Sequence, residues 1–342
     1  RSDMKTARGF FKIFAPEQVI AFDEIEKQFM SEFDYRKEGA QMDKIRLNMK
    51  TYRNLIKIPK PELSLTTKEV MVMEFLEGKK LYDAVKECGE KYASKQGKTF
   101  KDLEREMRLN IIKHGMPAKY EGPSARQIEM YRKLLMLRSF SLNPPLRALN
   151  KILGRFGRKI ELFEMDIPIN NARIMDVLMK VHGHQVLVNG NFNGDPHAGN
   201  VLILRDGRLG LIDYGQVKVL TERERRHVCN VIVALADRDK KRLKELAIEF
   251  GYKSKCLDED VIYNMTKFAL DTDGPEVCGG RNIQQFMDEQ YRKDPWTSTD
   301  PSIIMPIRTA FMLRGIGLML NHPISVVDYW GPVARKELQK VK

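Results

Sequence analysis

The chain has 342 residues, with 42% hydrophobic and 31% charged side chains, a composition that excludes a disordered chain and, at this length, suits two lobes or two domains. Its net charge is +13, and Lys86 to Ile160 holds 18 Lys or Arg against 7 Asp or Glu, so nearly all the excess sits in one middle segment. No run of about 18 apolar residues occurs, which excludes a simple transmembrane helix. The four cysteines, Cys88, Cys229, Cys256 and Cys278, form no C-x-x-C pair, so reduced thiols of an intracellular protein are expected, with neither a disulfide framework nor a zinc site. The chain opens on R-S-D-M, from which an excised or processed piece is expected, with any targeting peptide upstream.

In chain order, residues 15–50 read as helix, because Ile20, Phe22, Ile25, Phe29 and Phe33 recur at three- and four-residue steps. Strands are expected around Leu55–Ile58 and Glu69–Phe75, the second within V-M-V-M-E-F-L-E-G. The basic segment follows, helical by pattern, with breaks expected at Gly115–Pro117, Gly122–Pro123 and Pro144–Pro145. It attracts a phosphate-rich surface. It carries no zinc-finger pattern or aromatic RNA-binding motif, so anionic lipid is a better partner than nucleic acid. A further helix is expected over Asn171–Val181, and H-G-H (His182, His184) reads as a helix end, not a metal pair. Beyond Thr221 the chain is again helical, F-M-L-R-G-I-G-L-M-L being a buried core helix and Trp296 and Trp330 packing residues in loops.

Between these helices stands G-D-P-H-A-G-N-V-L-I-L-R-D-G-R-L-G-L-I-D-Y-G, Gly194 to Gly215. Asp-Gly between two apolar runs is a strong hairpin signal. Asn200 directly precedes the first strand and Asp213 follows the second, so an antiparallel pair returns both to one end, with Asp195 on the loop that enters. Two carboxylates and an amide oxygen form a hard oxygen site that suits Mg²⁺ with nucleotide phosphates as further ligands. His197 reads as a hydrogen-bonder that shapes the loop.

D-x-x-x-x-N, a hairpin and D-[FY]-G resemble the catalytic half of the protein-kinase-like site. F-N-G-D-P-H-A-G-N and L-I-D-Y-G resemble the UbiB family of atypical kinases, the aarF-domain proteins, with Asn193 where that family has His and Ala198 where it has Pro. S-E-F-D-Y-R-K-E-G (Ser31 to Gly39) is similar to the family's E-x-D-[FY]-x-x-E-A, V-M-V-M-E-F-L-E-G to its hinge strand and R-G-I-G-L-M-L to its C-terminal helix. The likeness covers residues 15–84 and 185–322 and leaves out the basic insertion.

The resemblance implies an α+β, protein-kinase-like two-lobe fold. Residues 1–78 would be the remainder of a small lobe incomplete at its N-terminus, 79–160 a basic helical insertion, and 161–342 a mostly helical large lobe with the catalytic hairpin. It implies an ATP- and Mg²⁺-dependent kinase or ATPase. Asp195 would be the catalytic base and Asn200 and Asp213 the metal ligands. Glu32 and Asp34 would form the E-x-D element beside the nucleotide, Glu38 would pair with the phosphate-binding Lys, and Met73, Glu74, Phe75 and Leu76 would form the hinge that meets adenine. It further implies a role in ubiquinone or related prenylquinone synthesis, as a peripheral protein of the mitochondrial inner membrane or a plastid, with anionic lipid and quinone-biosynthesis proteins as partners. The family's K-x-G-Q and V-A-V-K elements do not occur in this sequence, and the family order puts that Lys before residue 1. A pseudokinase scaffold binding lipid or protein is therefore one alternative, and a small-molecule kinase of the aminoglycoside or choline type the other.

Overall fold

The structure, a computed structural model, describes residues 34–114, 120, 122–153, 160, 162, 169–272 and 274–340. Its helices are α1 (Tyr35–Asn48), α2 (Leu81–Lys95), α3 (Phe100–His114), α4 (Ala125–Leu153), α5 (Asn171–Gly183), α6 (Glu222–Ala236), α7 (Lys240–Glu249), α8 (Glu259–Leu270), α9 (Pro275–Cys278), α10 (Ile283–Lys293), α11 (Ile304–Met319) and α12 (Val326–Gln339). The strands are short: β1 (Ile56–Lys57), β2 (Gly78–Lys80), β3 (Asn191–Asn193), β4 (Val201–Leu204), β5 (Leu209–Leu211), β6 (Val217–Val219), β7 (Lys253–Ser254) and β8 (Trp296–Ser298). This is a mixed α+β chain, mostly helical, as expected.

One sheet runs in the order β1-β5-β4-β2, with β1 parallel to β5 and the other neighbours antiparallel. Its centre is the hairpin of β4 and β5, turned by Arg205–Arg208 with Gly207 at φ +82°, the left-handed conformation that Asp-Gly supplies. The expected helix over residues 15–50 is present as α1, which is capped by the Asp34 carboxylate on the Arg36 amide at 3.2 Å; residues 15–33 lie outside the described part. α1 buries Met42 and Ile45.

Three expectations need correction. Glu69–Phe75 is not a strand. Met73 makes one isolated bridge to Pro61, flanked by Glu62 N–H to the Val72 carbonyl at 2.7 Å and Glu74 N–H to the Lys60 carbonyl at 2.8 Å. Pro61 and Met73 are the non-hydrogen-bonded pair between those two bonds, the pairing goes no further than this single bridge, and the apolar run stays largely outside the core, with Phe75 87% exposed. Pro144–Pro145 do not break the helix: α4 runs through both. Their fixed φ lies in the helical well, and the helix carries the cost of two missing amide donors and of ring crowding against the carbonyls four residues back. Trp330 is not in a loop; it is fully buried on α12, its Nε1–H donating to the Met179 carbonyl at 3.1 Å. Trp296 stands on β8.

The main core gathers α5, α6, α11 and α12 against α1 and the hairpin. α6 opens with a capping box, Thr221 and Glu224 each bonding the other's amide. Gly183 must lack a side chain, because a Cβ there would meet the Trp330 ring at 2.7 Å. On α11, Leu313, Arg314 and Ile316 are buried, the Arg314 guanidinium donating to the Phe268 carbonyl at 2.7 Å. No described helix is long and apolar enough to cross a membrane.

His182, in the last turn of α5, is enclosed with Nδ1 2.8 Å from the Leu178 carbonyl oxygen, and burial pushes its imidazole down to about 4. A base with a folded pKa below the unfolded value, about 6.5, binds its proton more readily when unfolded. Its stability contribution is therefore whole above that value and is lost as pH falls toward the folded pKa. Burial pushes His184 and His322 the same way. We expect urea midpoints to fall between pH 6.5 and 4 and His182→Gln to remove a part of that fall worth roughly 3 kcal/mol; an unchanged slope in the variant would refute the assignment.

Candidate functional site

The site begins where α5 ends. A π-helical turn over His184–Asn189 closes on Gly190, whose φ of +62° releases the chain into β3. β3 pairs antiparallel with β6, Asn193 opposite Val217, and the Gly194 N–H reaches the Gln216 carbonyl at 2.8 Å. The segments on either side of the hairpin are thus fastened to each other as well as joined through it.

Asn193 stands at the junction. Its Nδ2 donates to the Asp213 carbonyl at 2.9 Å and its Oδ1 accepts the Asp195 N–H at 2.9 Å. The loop from Asp195 is tightened by His197, whose Nδ1 accepts the Gly199 amide at 3.0 Å, the loop-shaping role expected of it. Asn200 Nδ2 then donates to Asp213 Oδ2 at 2.7 Å, while the Gly215 N–H donates to Asp213 Oδ1 at 2.9 Å. Tyr214 is buried between them, and burial pushes its phenol well above the ordinary range.

Asn200 and Asp213 share the wall of a cavity of about 640 Å³ with Gly215, Ile212, Tyr35, Glu38, Lys68 and Glu69. The donor set fits a hard cation: Asn200 turns its amide nitrogen onto Asp213 and keeps Oδ1 as an acceptor, beside a carboxylate already oriented. Among the described residues no cluster of three His, Cys, Asp or Glu could hold a metal alone, so further oxygen ligands would come from water or from a bound molecule.

Glu38 thus lies on the same cavity as Asn200 and Asp213, although 162 residues separate it from Asn200. Asp34 caps α1 and is gripped by both arms of Arg36, which hold its carboxyl down at about 2. The expected hinge residues stand apart from this cavity's wall. Met73 and Phe75 are exposed, Leu76 packs on Leu202 and Leu204, and Glu74 is held below the usual carboxylate range by Lys57 at 2.5 Å. Glu32 lies outside the described residues.

Sequence reasoning did not single out Lys68 or Arg308. Lys68 lines the cavity, and its carbonyl accepts the Tyr35 amide at 3.2 Å, which fixes the loop against α1. Arg308 Nη2 contacts Asp195 Oδ2 at 3.1 Å from α11. It was hidden inside an apolar helix more than a hundred residues beyond the loop, with no motif to mark it.

A hairpin flanked by such acidic segments, set against a capped helix with an inward carboxylate, defines a kinase-like domain. The sequence profile of the ABC1 atypical kinase-like domain matches residues 1–115 and 157–247, more than half of the chain. The chain belongs to that family, the UbiB group. It is 21% identical over 234 residues to "AarF domain-containing protein kinase 1" of Gallus gallus, covering 67% of this chain and 30% of that protein. It is 31% identical over 74 residues to "Protein ACTIVITY OF BC1 COMPLEX KINASE 1, chloroplastic" of Arabidopsis thaliana, covering 22% of this chain and 11% of the relative. An uncharacterized Synechocystis protein, slr1919, is 35% identical over 161 residues, 45% of this chain and 28% of its own length. The chain thus spans less than a third of each of these relatives. A solved complex of Rv3197 with erythromycin, from Mycobacterium tuberculosis, matches 96% of this chain and 66% of its own at 14% identity and a TM-score of 0.47.

Asn193→Ala removes both bonds that tie Asp195 to Asp213 and leaves a half-buried amide and a half-buried carbonyl without that partner. A loss of about 2 kcal/mol is expected by chemical denaturation. Asn193→His, able to donate and accept at once, should lose less; equal losses would show that the bridge is not what matters.

Proposed function

We propose that the chain is the nucleotide-binding part of a Mg²⁺-dependent, ATP-using kinase or ATPase of the UbiB type. The observation that carries this is the Asn200–Asp213 contact in the wall of a cavity shared with Glu38. Asn200 and Asp213 would hold Mg²⁺, which neutralises phosphate charge during phosphoryl transfer. The chain's own residues supply orientation and proton handling. Asp195 accepts the proton of the attacking hydroxyl or water. Asn193 fixes the distance between that base and the metal-binding carboxylate, and Glu38 presents a carboxylate for a phosphate-binding Lys, as in the family.

The same reading puts the protein on an organelle membrane in support of prenylquinone synthesis, and α4 supports the membrane part. It holds six Lys or Arg against Glu129 alone. Met130, Leu134 and Leu137, spaced four and three apart, are 61%, 58% and 61% exposed, with Phe140 at 82%. A helix both basic and openly apolar suits the interface of an anionic bilayer, where each basic residue near the surface adds about 1 kcal/mol. The chloroplastic names of the Arabidopsis relatives favour a plastid over a mitochondrion.

ATP and Mg²⁺ together, at about 100 times the dissociation constant, should stabilise the full chain by roughly 2.7 kcal/mol. The rise in thermal midpoint should need both components and be lost in Asp213→Asn. No rise in the wild type would leave a scaffold as the better reading, and phosphorylation of a soluble alcohol would favour the small-molecule kinase. Vesicles containing anionic lipid should co-sediment the protein, and Leu137→Asp with Phe140→Asp should weaken this. Equal recovery with purely zwitterionic vesicles would rule out the charge-guided docking.

A further inference from the structure

Three consecutive residues of the catalytic segment rest on one face of α11. Met305, Arg308 and Thr309, at helical spacing i, i+3 and i+4, share that face. A Cβ on Gly194 would collide with the Met305 methyl group. Thr309 Oγ1 donates to the Met305 carbonyl within the helix at 3.0 Å and lies 3.4 Å from the Asn193 carbonyl oxygen, and Arg308 Nη2 donates to Asp195 Oδ2 at 3.1 Å. The loop itself, Pro196 to Gly199, contains no Lys or Arg.

The ion pair is one-pronged. A guanidinium can grip a carboxylate with two parallel bonds, yet here Arg308 Nη1 and Asp195 Oδ1 are both buried without a hydrogen-bond partner. The side chains keep 18% and 28% exposure. Buried unpaired groups of this kind are costly and uncommon, and call for an explanation. This pair stays partly open at the carboxylate proposed to take a proton.

We propose that Arg308 is the positioning residue of Asp195: it aims the carboxylate from α11 and balances its charge as phosphoryl charge gathers nearby. The turnover part rests on the nucleotide reading above; the positioning part rests on the contacts alone. α11 therefore completes the site, and the motif loop cannot present its acid without it.

The test compares wild type, Arg308→Lys and Arg308→Gln as full chains. Amide exchange should rise about tenfold in peptides covering residues 191–200 in Arg308→Gln and by less in Arg308→Lys, while α6 and α12 keep their protection. Turnover of Mg·ATP should fall at least about tenfold in Arg308→Gln with KM for ATP unchanged, and Arg308→Lys should recover part. Wild-type exchange in the 191–200 segment of Arg308→Gln, or loosening spread evenly over the core, would overturn the proposal. A wild type that neither shifts nor turns over with Mg·ATP would sink the nucleotide reading, and the exchange comparison would still decide the role of Arg308. Should Arg308→Gln fail to fold, Asp195→Asn gives the same comparison from the other side of the pair.

Discussion

One buried side-chain amide holds the site together. Asn193 donates to the Asp213 carbonyl and accepts from the Asp195 amide, so the acid on the loop and the acid after the hairpin cannot drift independently. The task needs one donor and one acceptor at once, within reach of both segments. A primary amide provides that, and so does a neutral imidazole with its two unlike nitrogens. An imidazole at position 193 would therefore be able to keep the bridge that Asn193 makes.

Asn193 is itself held from below. Its N–H donates to Gln185 Oε1 at 3.2 Å on the π-helical turn, and that turn is the continuation of α5. α5 is anchored by Trp330 through both its ring contact at Gly183 and its bond to the Met179 carbonyl. The site's geometry is thus inherited from a packed helical core, the usual division between a rigid scaffold and a functional loop.

What the sequence made legible was local. The Asp-Gly turn and the two apolar runs with their polar flanks depend on neighbours a few residues away, and the hairpin and the Asn200–Asp213 convergence follow. Less legible were outcomes decided by distant partners. V-M-V-M-E-F looks like a strand, but it meets only the short Lys60–Glu62 stretch in a single bridge and finds no sheet to enter. Trp330 resembles a loop residue until α5 supplies the cavity it fills. Arg308 reads as an interruption in an apolar helix; only the packing of α11 under Gly194 reveals which residue it faces.

The two acids are treated differently by their surroundings. Asp213 receives an amide from Asn200 and a backbone N–H from Gly215, both neutral donors. Such donors orient a carboxylate and leave its charge uncancelled, which is what a cation-binding oxygen requires. Asp195 faces a guanidinium instead, so its charge is already balanced and it has less to offer a metal. Two identical side chains on one ribbon are thereby given unlike partners, neutral donors at Asp213 and a guanidinium at Asp195.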